Sequence, residues 1–206
     1  MGPIWVEPVL DTGCKMNSSF SFIFIGSTHG FIDDFKKQKE IIENINPEFV
    51  LCENLENISL ETKKNFDDVL KLKRISNMTS FEEIENLIRL CFKKNIKLIG
   101  IDLENFGFDS NLQDKIKNQE ELSQEEEDLV KKIIKRREEK HIEKINEYKK
   151  KTIKPLIVIV GSWHLRSNSK LMKSFDKYKV IFPCDKEGNL VLKPSDKKIS
   201  YCEKIK

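Results

Sequence analysis

The sequence predicts an α/β fold, with a mostly parallel central sheet covered by helices. Three observations carry this expectation. Short β-favouring apolar runs at 20–25, 49–52, 96–101 and 156–160 are continuous rather than alternating, as strands buried on both faces are. Segments with helical apolar spacing separate these runs, and such alternation demands crossover connections and hence parallel pairing. Apolar residues make up 38% and charged residues 34% of the 206 positions, which suits one sizeable core beneath a charged surface.

The first strand, FSFIFI at 20–25, ends at Gly26. Over 33–46 the apolar residues Phe35, Ile41, Ile42 and Ile45 keep helical spacing, and Asn46-Pro47 stops that helix. FVLC at 49–52 is the second strand. Two helical patterns follow, 60–72 and 81–94, with Ser80 and Glu83 at capping-box spacing before the second. Residues 54–94 read as a helical insertion or cap. IKLIGI at 96–101 is the third strand, and the polar stretch 105–119 reads as loop with some helix. A long helix is expected over 124–150, opened by a capping box of Ser123 and Glu126. LIVIV at 156–160 is a further strand, ended by Gly161 and followed by a short helix near Ser169. Val180 to Phe182 and Leu190 to Leu192 flank the turn-like DKEGN of 185–189 and predict a C-terminal hairpin. No composition shift marks a boundary, so 1–206 reads as a single domain.

Composition excludes several functions. A net charge of +3 is small, and basic stretches such as 149–151 are balanced by acidic runs such as 125–128. No basic stripe is interleaved with aromatics, so no nucleic-acid partner is expected. No apolar run approaches the ~20 residues of a membrane helix. The first residues lack a basic start and an apolar stretch of signal-peptide length, so the expected location is cytoplasmic, without a membrane partner. Cys14, Cys52, Cys91, Cys184 and Cys202 are dispersed, with no CxxC pair, which reads as reduced thiols rather than a disulfide framework or zinc knuckle. Phosphate-cradling glycine loops, HExxH and GxSxG are absent. No pattern specifies an oligomeric state.

One internal echo points to a site. FIFIGSTHG and IVIVGSWHL share a plan of four apolar residues, Gly-Ser, any residue and His. Each histidine, His29 and His164, falls just beyond the carboxyl end of a buried strand, the edge where open α/β sheets bind ligands. The chain has three histidines, and two occupy this context. A lone Gly-x-x-His is usually a loop histidine capping backbone; a matched pair is not readily chance. Glu53 follows FVLC directly and should emerge at the same edge. A carboxylate beside two imidazoles suits a divalent metal or a general base, against the plainer reading of a helix cap or surface charge. Asp102 follows the third strand in the same way, with Glu104 as the neighbouring alternative.

The long helix supplies another element. Val130, Ile134, Arg137, His141, Ile145 and Tyr148 lie on one helical face, mostly apolar. A buried guanidinium needs an acceptor, so Arg137 is expected to reach a site carboxylate or a ligand anion, unless it forms a merely structural ion pair. Arg136 replaces it if the register differs. His141 reads as a satisfied helix histidine, Cys52 as a packed thiol, and Ser27 and Ser162 as bonding local backbone.

In this order, FIFIGSTHG, INPEFVLCEN, RREEKHIEKI and IVIVGSWHL resemble the TraB/GumN family. Its relatives include the Tiki-type metalloproteases and, more distantly, the erythromycin-esterase and ChaN-like group. Gly26 with His29 and Gly161 with His164 match its two Gly-x-x-His motifs. Pro47, Glu48, Val50 and Glu53 match the strand between them, Asp102 an aspartate after a later strand, and Arg137 with Glu138 the helical Arg-acidic pair. The resemblance covers about residues 20–175. An arginine the family carries shortly after the glutamate is missing in ENLENISLE, and Leu103 stands where arginine usually follows the aspartate.

The resemblance implies a metal-dependent hydrolase, with peptidase activity as one form and a peptide or small molecule as substrate. His29, His164 and Glu53 are the expected metal ligands, with Glu53, Asp102 and Arg137 as catalytic residues. The ion is a divalent metal: zinc, manganese, iron or cobalt. Two alternatives stand beside it, a non-catalytic binding or regulatory protein on the same fold and a metal-independent, esterase-like hydrolase using His29 or Glu53 as base.

Overall fold

The computed structural model describes residues 20–28, 32–192 and 200–206. Within them β1 (Phe22–Ser27), β2 (Phe49–Cys52), β4 (Lys97–Gly100), β5 (Leu156–Gly161) and β6 (Tyr178–Cys184) run parallel. β3 (Ser59–Leu60) and β7 (Ser200–Ile205) close the two edges antiparallel, giving the order β3-β4-β2-β5-β1-β6-β7. The continuous apolar runs are explained by burial on both faces. Ile23, Ile25, Val50, Ile157 and Ile159 pack towards α1 (Ile32–Ile45), α2 (Lys63–Val69) and α3 (Glu85–Lys94). Their alternate neighbours Phe24, Leu51, Val158 and Val160 pack towards α5 (Gln124–Lys149) and α6 (Lys170–Lys173).

The region 54–94 is built into this sheet. It adds the edge strand β3 as well as two helices, and Phe66, Val69, Ile84, Leu87 and Ile88 join the core. A Cβ on Gly100 would collide with the carbonyl oxygens of Glu56 and Ile58, so glycine there permits the close return of β3 along β4. The box expected at Ser80 does not cap α3. Ser80 bridges Arg74 in extended pairing, and α3 starts at Glu85 behind an uncapped Ile84. The Ser123–Glu126 box forms as read. In 105–119 a helix, α4 (Ser110–Asn118), is capped by the Asp109 side chain.

The C-terminal hairpin pairs β6 with β7. The turn at 185–189 is present, with Asn189 N–H donating to Asp185 Oδ1 at 2.8 Å, but Leu190 makes only a single bridge to Cys184. The reading of all thiols as reduced is corrected here, because Cys184 and Cys202 form a disulfide. The β6–β7 register sets Cys184 opposite Ser200 and Phe182 opposite Cys202, so the two cysteines are diagonal neighbours with Cα atoms 5.9 Å apart. This removes the thiol argument for a reducing compartment. Among the described residues no helix is long and apolar enough to cross a membrane.

The topology sets the place of the site. From β1 the chain crosses through α1 to β2 on one side; from β5 it crosses through α6 to β6 on the other. β1 and β5 are adjacent and parallel, and the connections leaving them run in opposite directions along the sheet. Such a switch point opens a crevice outside the carboxyl ends of its strands.

Candidate functional site

Both Gly-Ser-x-His segments leave the sheet at this switch point, with Ser27 paired to Gly161. A Cβ at Gly26 would sit 2.9 Å from Leu165 Cδ1 and 3.0 Å from Ser162 Oγ, so the glycine of one segment lets the loop of the other pack against β1. His29 lies outside the described residues. His164 lies in a buried 3-10 turn, Ser162–Leu165. Ser169 fixes that turn: its hydroxyl donates to the His164 carbonyl at 2.7 Å and accepts from Met172 N–H at the start of α6.

Glu53 arrives by strand alternation. Cys52 faces the α1–α3 side, so the next side chain emerges on the α5 side at the carboxyl end of β2. It is 4% exposed. Its Oε2 accepts the Gly161 N–H at 2.5 Å, and its Oε1 accepts from Arg137 Nη2 at 2.6 Å. Oε1 also lies 3.6 Å from His164 Nε2. Asp102, just beyond β4, takes the other side of Arg137. The guanidinium carbon stands 4.6 Å from the centre of the Phe106 ring. One helical step from Arg137, Glu138 Oε1 is 3.0 Å from His164 Nδ1, while Oε2 accepts Lys170 N–H at 2.9 Å.

The electrostatics follow from these contacts. Burial alone would push the Glu53 carboxyl up; the charges of His164 and Arg137 overcome it and hold it well below the carboxylate range. Asp102 is lowered too, its burial opposed by His141 and Arg137. Burial would lower His164, but Glu53 and Glu138 outweigh that and bring its imidazole up to about 9. Glu138 is lowered by the same imidazole against its burial. Cys52 beside Glu53 is driven by burial up to about 12, a protonated thiol rather than a nucleophile.

Glu53, Asp102, Arg137 and His164 therefore converge, and Arg136 is exposed. On the α5 face Ile133 is buried while Ile134 is only partly so. His141 corrects the expectation of a satisfied helix histidine. It is fully buried, with its ring 5.1 Å from that of His164 and Nε2 3.1 Å from Asp102 Oδ2, yet neither ring nitrogen is aligned for a hydrogen bond. Ser27 bonds the Asp34 carboxylate rather than backbone, and the buried Ser162 hydroxyl has no hydrogen-bond partner. Glu138 is a site residue beyond those the strand ends and helical spacing point to; its signal in the sequence is its place beside Arg137 in the helical Arg-acidic pair. Among the described residues no three His, Cys, Asp or Glu side chains are grouped so as to hold a metal ion.

No protein-family model matches the chain, and no curated protein matches it. A solved structure of ChaN from Campylobacter jejuni with cofacially bound heme is similar to it, with a TM-score of 0.43 and 14% identity, covering 91% of this chain and 88% of that one. The family resemblance stands on the sequence motifs alone.

Proposed function

We propose that the protein is a divalent-metal-dependent hydrolase acting at the switch-point edge, with His29, His164 and Glu53 as ligands for zinc, manganese, iron or cobalt. The observation that carries this reading is the setting of His164. Its Nδ1 is bonded to Glu138, which leaves Nε2 facing Glu53 Oε1 at 3.6 Å. A carboxylate behind a histidine is the usual way of orienting an imidazole for a metal. Two donors at that separation suit one ion with bonds of about 2.0–2.2 Å. The described residues supply these two donors, and His29 is proposed as the third.

The chain's own groups would prepare the site. Arg137 and the Gly161 N–H hold the Glu53 carboxylate ionised and fixed in orientation. Asp102 positions Arg137, and Glu138 sets the histidine tautomer. Bound metal would polarise a substrate carbonyl and lower the pKa of water. Glu53, bonded through both oxygens and strongly acidic, serves as ligand and anchor rather than base.

One observation favours a second reading. Between Glu53 and Glu138, His164 keeps its proton up to about pH 9 and would donate it as a metal-free general acid.

Elemental analysis and calorimetric titration of untagged protein, with peptide and ester turnover measured with and without chelator, separate these readings. The expected result is metal uptake lost in His29→Ala and His164→Ala, and turnover abolished by chelator. No uptake by the wild type, or unchanged uptake in both variants, overturns the metal site. Turnover that survives chelator supports the acid mechanism, and uptake without turnover identifies a binding protein.

A further inference from the structure

The site described above lies on the α5 side of the sheet. On the opposite side, at the same carboxyl edge, a cavity of about 340 Å³ opens between α1, α3 and the ends of β1, β2 and β5. That volume is in the range of small-molecule pockets. It reaches Cys52 and Asn54, the two neighbours of Glu53, and Val160, next to the Gly161 that bonds Glu53. A ligand seated there lies alongside the proposed reaction site.

The walls give the ligand's chemistry. Phe35, Ile84, Leu87 and Ile159 supply apolar surface. Three carboxylates, Asp34, Glu82 and Glu83, face one ammonium, Lys36. Asp34 is buried and fixed: it accepts from Thr28 N–H at 2.8 Å, from the Thr28 and Ser27 hydroxyls, and from the Tyr201 hydroxyl. Glu82 and Glu83 are exposed. Gln38, one turn beyond Asp34 on α1, lines the cavity and is 7% exposed, and its side-chain amide makes no hydrogen bond among the described residues. Its amide is not fully enclosed and so is open to a ligand seated in the cavity.

We propose that this cavity binds an apolar primary amine, such as a hydrophobic amino-acid unit with a free amino group, with Gln38 bonding its amide or ammonium and the carboxylates favouring its charge. Like charge disfavours an organic anion there. Assigning the cavity as the subsite for a substrate's amino end rests on the hydrolase reading; binding of the amine does not.

The test is calorimetric titration of chelator-treated protein with L-leucinamide and with N-acetyl-L-leucinamide, which lacks the charge. The wild type should bind leucinamide and bind the acetylated compound about tenfold more weakly or worse. Gln38→Met, of similar volume, should weaken leucinamide by a similar factor with little change in melting temperature. The surface variant Glu82→Gln/Glu83→Gln should weaken it without changing the melting temperature. Absence of leucinamide binding, equal binding of both compounds, or unchanged affinity in both variants overturns the proposal. Since no metal is present, failure of the metal site leaves this result untouched.

Discussion

Arg137 holds Asp102 with two nitrogens: Nε lies 3.1 and 2.9 Å from the two carboxylate oxygens, and Nη2 lies 2.6 Å from Oδ2. The same Nη2 donates to Glu53, so one guanidinium bridges two buried carboxylates from different strand ends. Removing it takes a charged partner from both. Breaking a buried ion pair typically costs about 3–5 kcal/mol, so Arg137→Met should lose about that much in urea unfolding. Arg137→Lys keeps the charge but not the planar fork, and should lose less stability while still weakening metal uptake. The double variant Arg137→Met/Asp102→Asn should be clearly less destabilised than the sum of its singles. Single losses below about 1 kcal/mol would mean that the cluster is not held by this pairing.

The parts of this arrangement that were legible in the sequence are those fixed by local pattern. Buried strands announce themselves as apolar runs, and a residue directly after such a run, Glu53 or Asp102, must emerge at the sheet edge. The inward direction of Arg137 followed from helical spacing. The two Gly-Ser-x-His segments were visible as an echo, though the close packing of Leu165 and Ser162 on Gly26 depends on the β1–β5 register. The two-residue strand β3 is too short to carry a period, and Ser80 was drawn into a bridge with Arg74 that no capping rule anticipates. Glu138 meets His164 only because α5 lies beside α6, a tertiary fact. The Cys184–Cys202 disulfide depends on a strand register across 18 residues of sequence.

His164 gives the protein a signed pH dependence. Its imidazole is raised from 6.5 to about 9 in the fold, against its burial, by Glu53 and Glu138. A raised imidazole stabilises the folded state fully below the unfolded value, and that contribution fades as pH rises through the folded value. In chelator-treated protein stability should therefore fall between about pH 6.5 and 9, by an amount on the order of 3 kcal/mol. Denaturant unfolding across this window checks it. His164→Gln should flatten the profile there, and an equally steep fall in that variant would assign the effect to other groups.

The disulfide ties the edge strand β7 to the rest of the sheet, and the residue beside it is linked to the end of β1. Tyr201, next to Cys202, donates to Asp34, and Asp34 in turn accepts the Thr28 N–H at the end of β1, where the first Gly-Ser-x-His segment leaves the sheet. β7 is partly or fully exposed along its length, so little apolar burial holds it in place once the covalent link is gone. Closing a loop of 18 residues stabilises a fold by roughly 3 kcal/mol on chain-entropy grounds. Cys202→Ser, or treatment with a reductant, should lower stability by about 2–4 kcal/mol. It should also speed amide hydrogen exchange at 200–205 and at Thr28, because loosening β7 withdraws Tyr201 from Asp34. Tyr201→Phe in the oxidised protein separates the two effects: exchange at Thr28 should rise while 200–205 stays protected. If the reduced protein is as stable as the oxidised one, the crosslink does not hold the edge. If stability falls but Thr28 exchange does not change, β7 is held by the disulfide without being coupled to the β1 terminus.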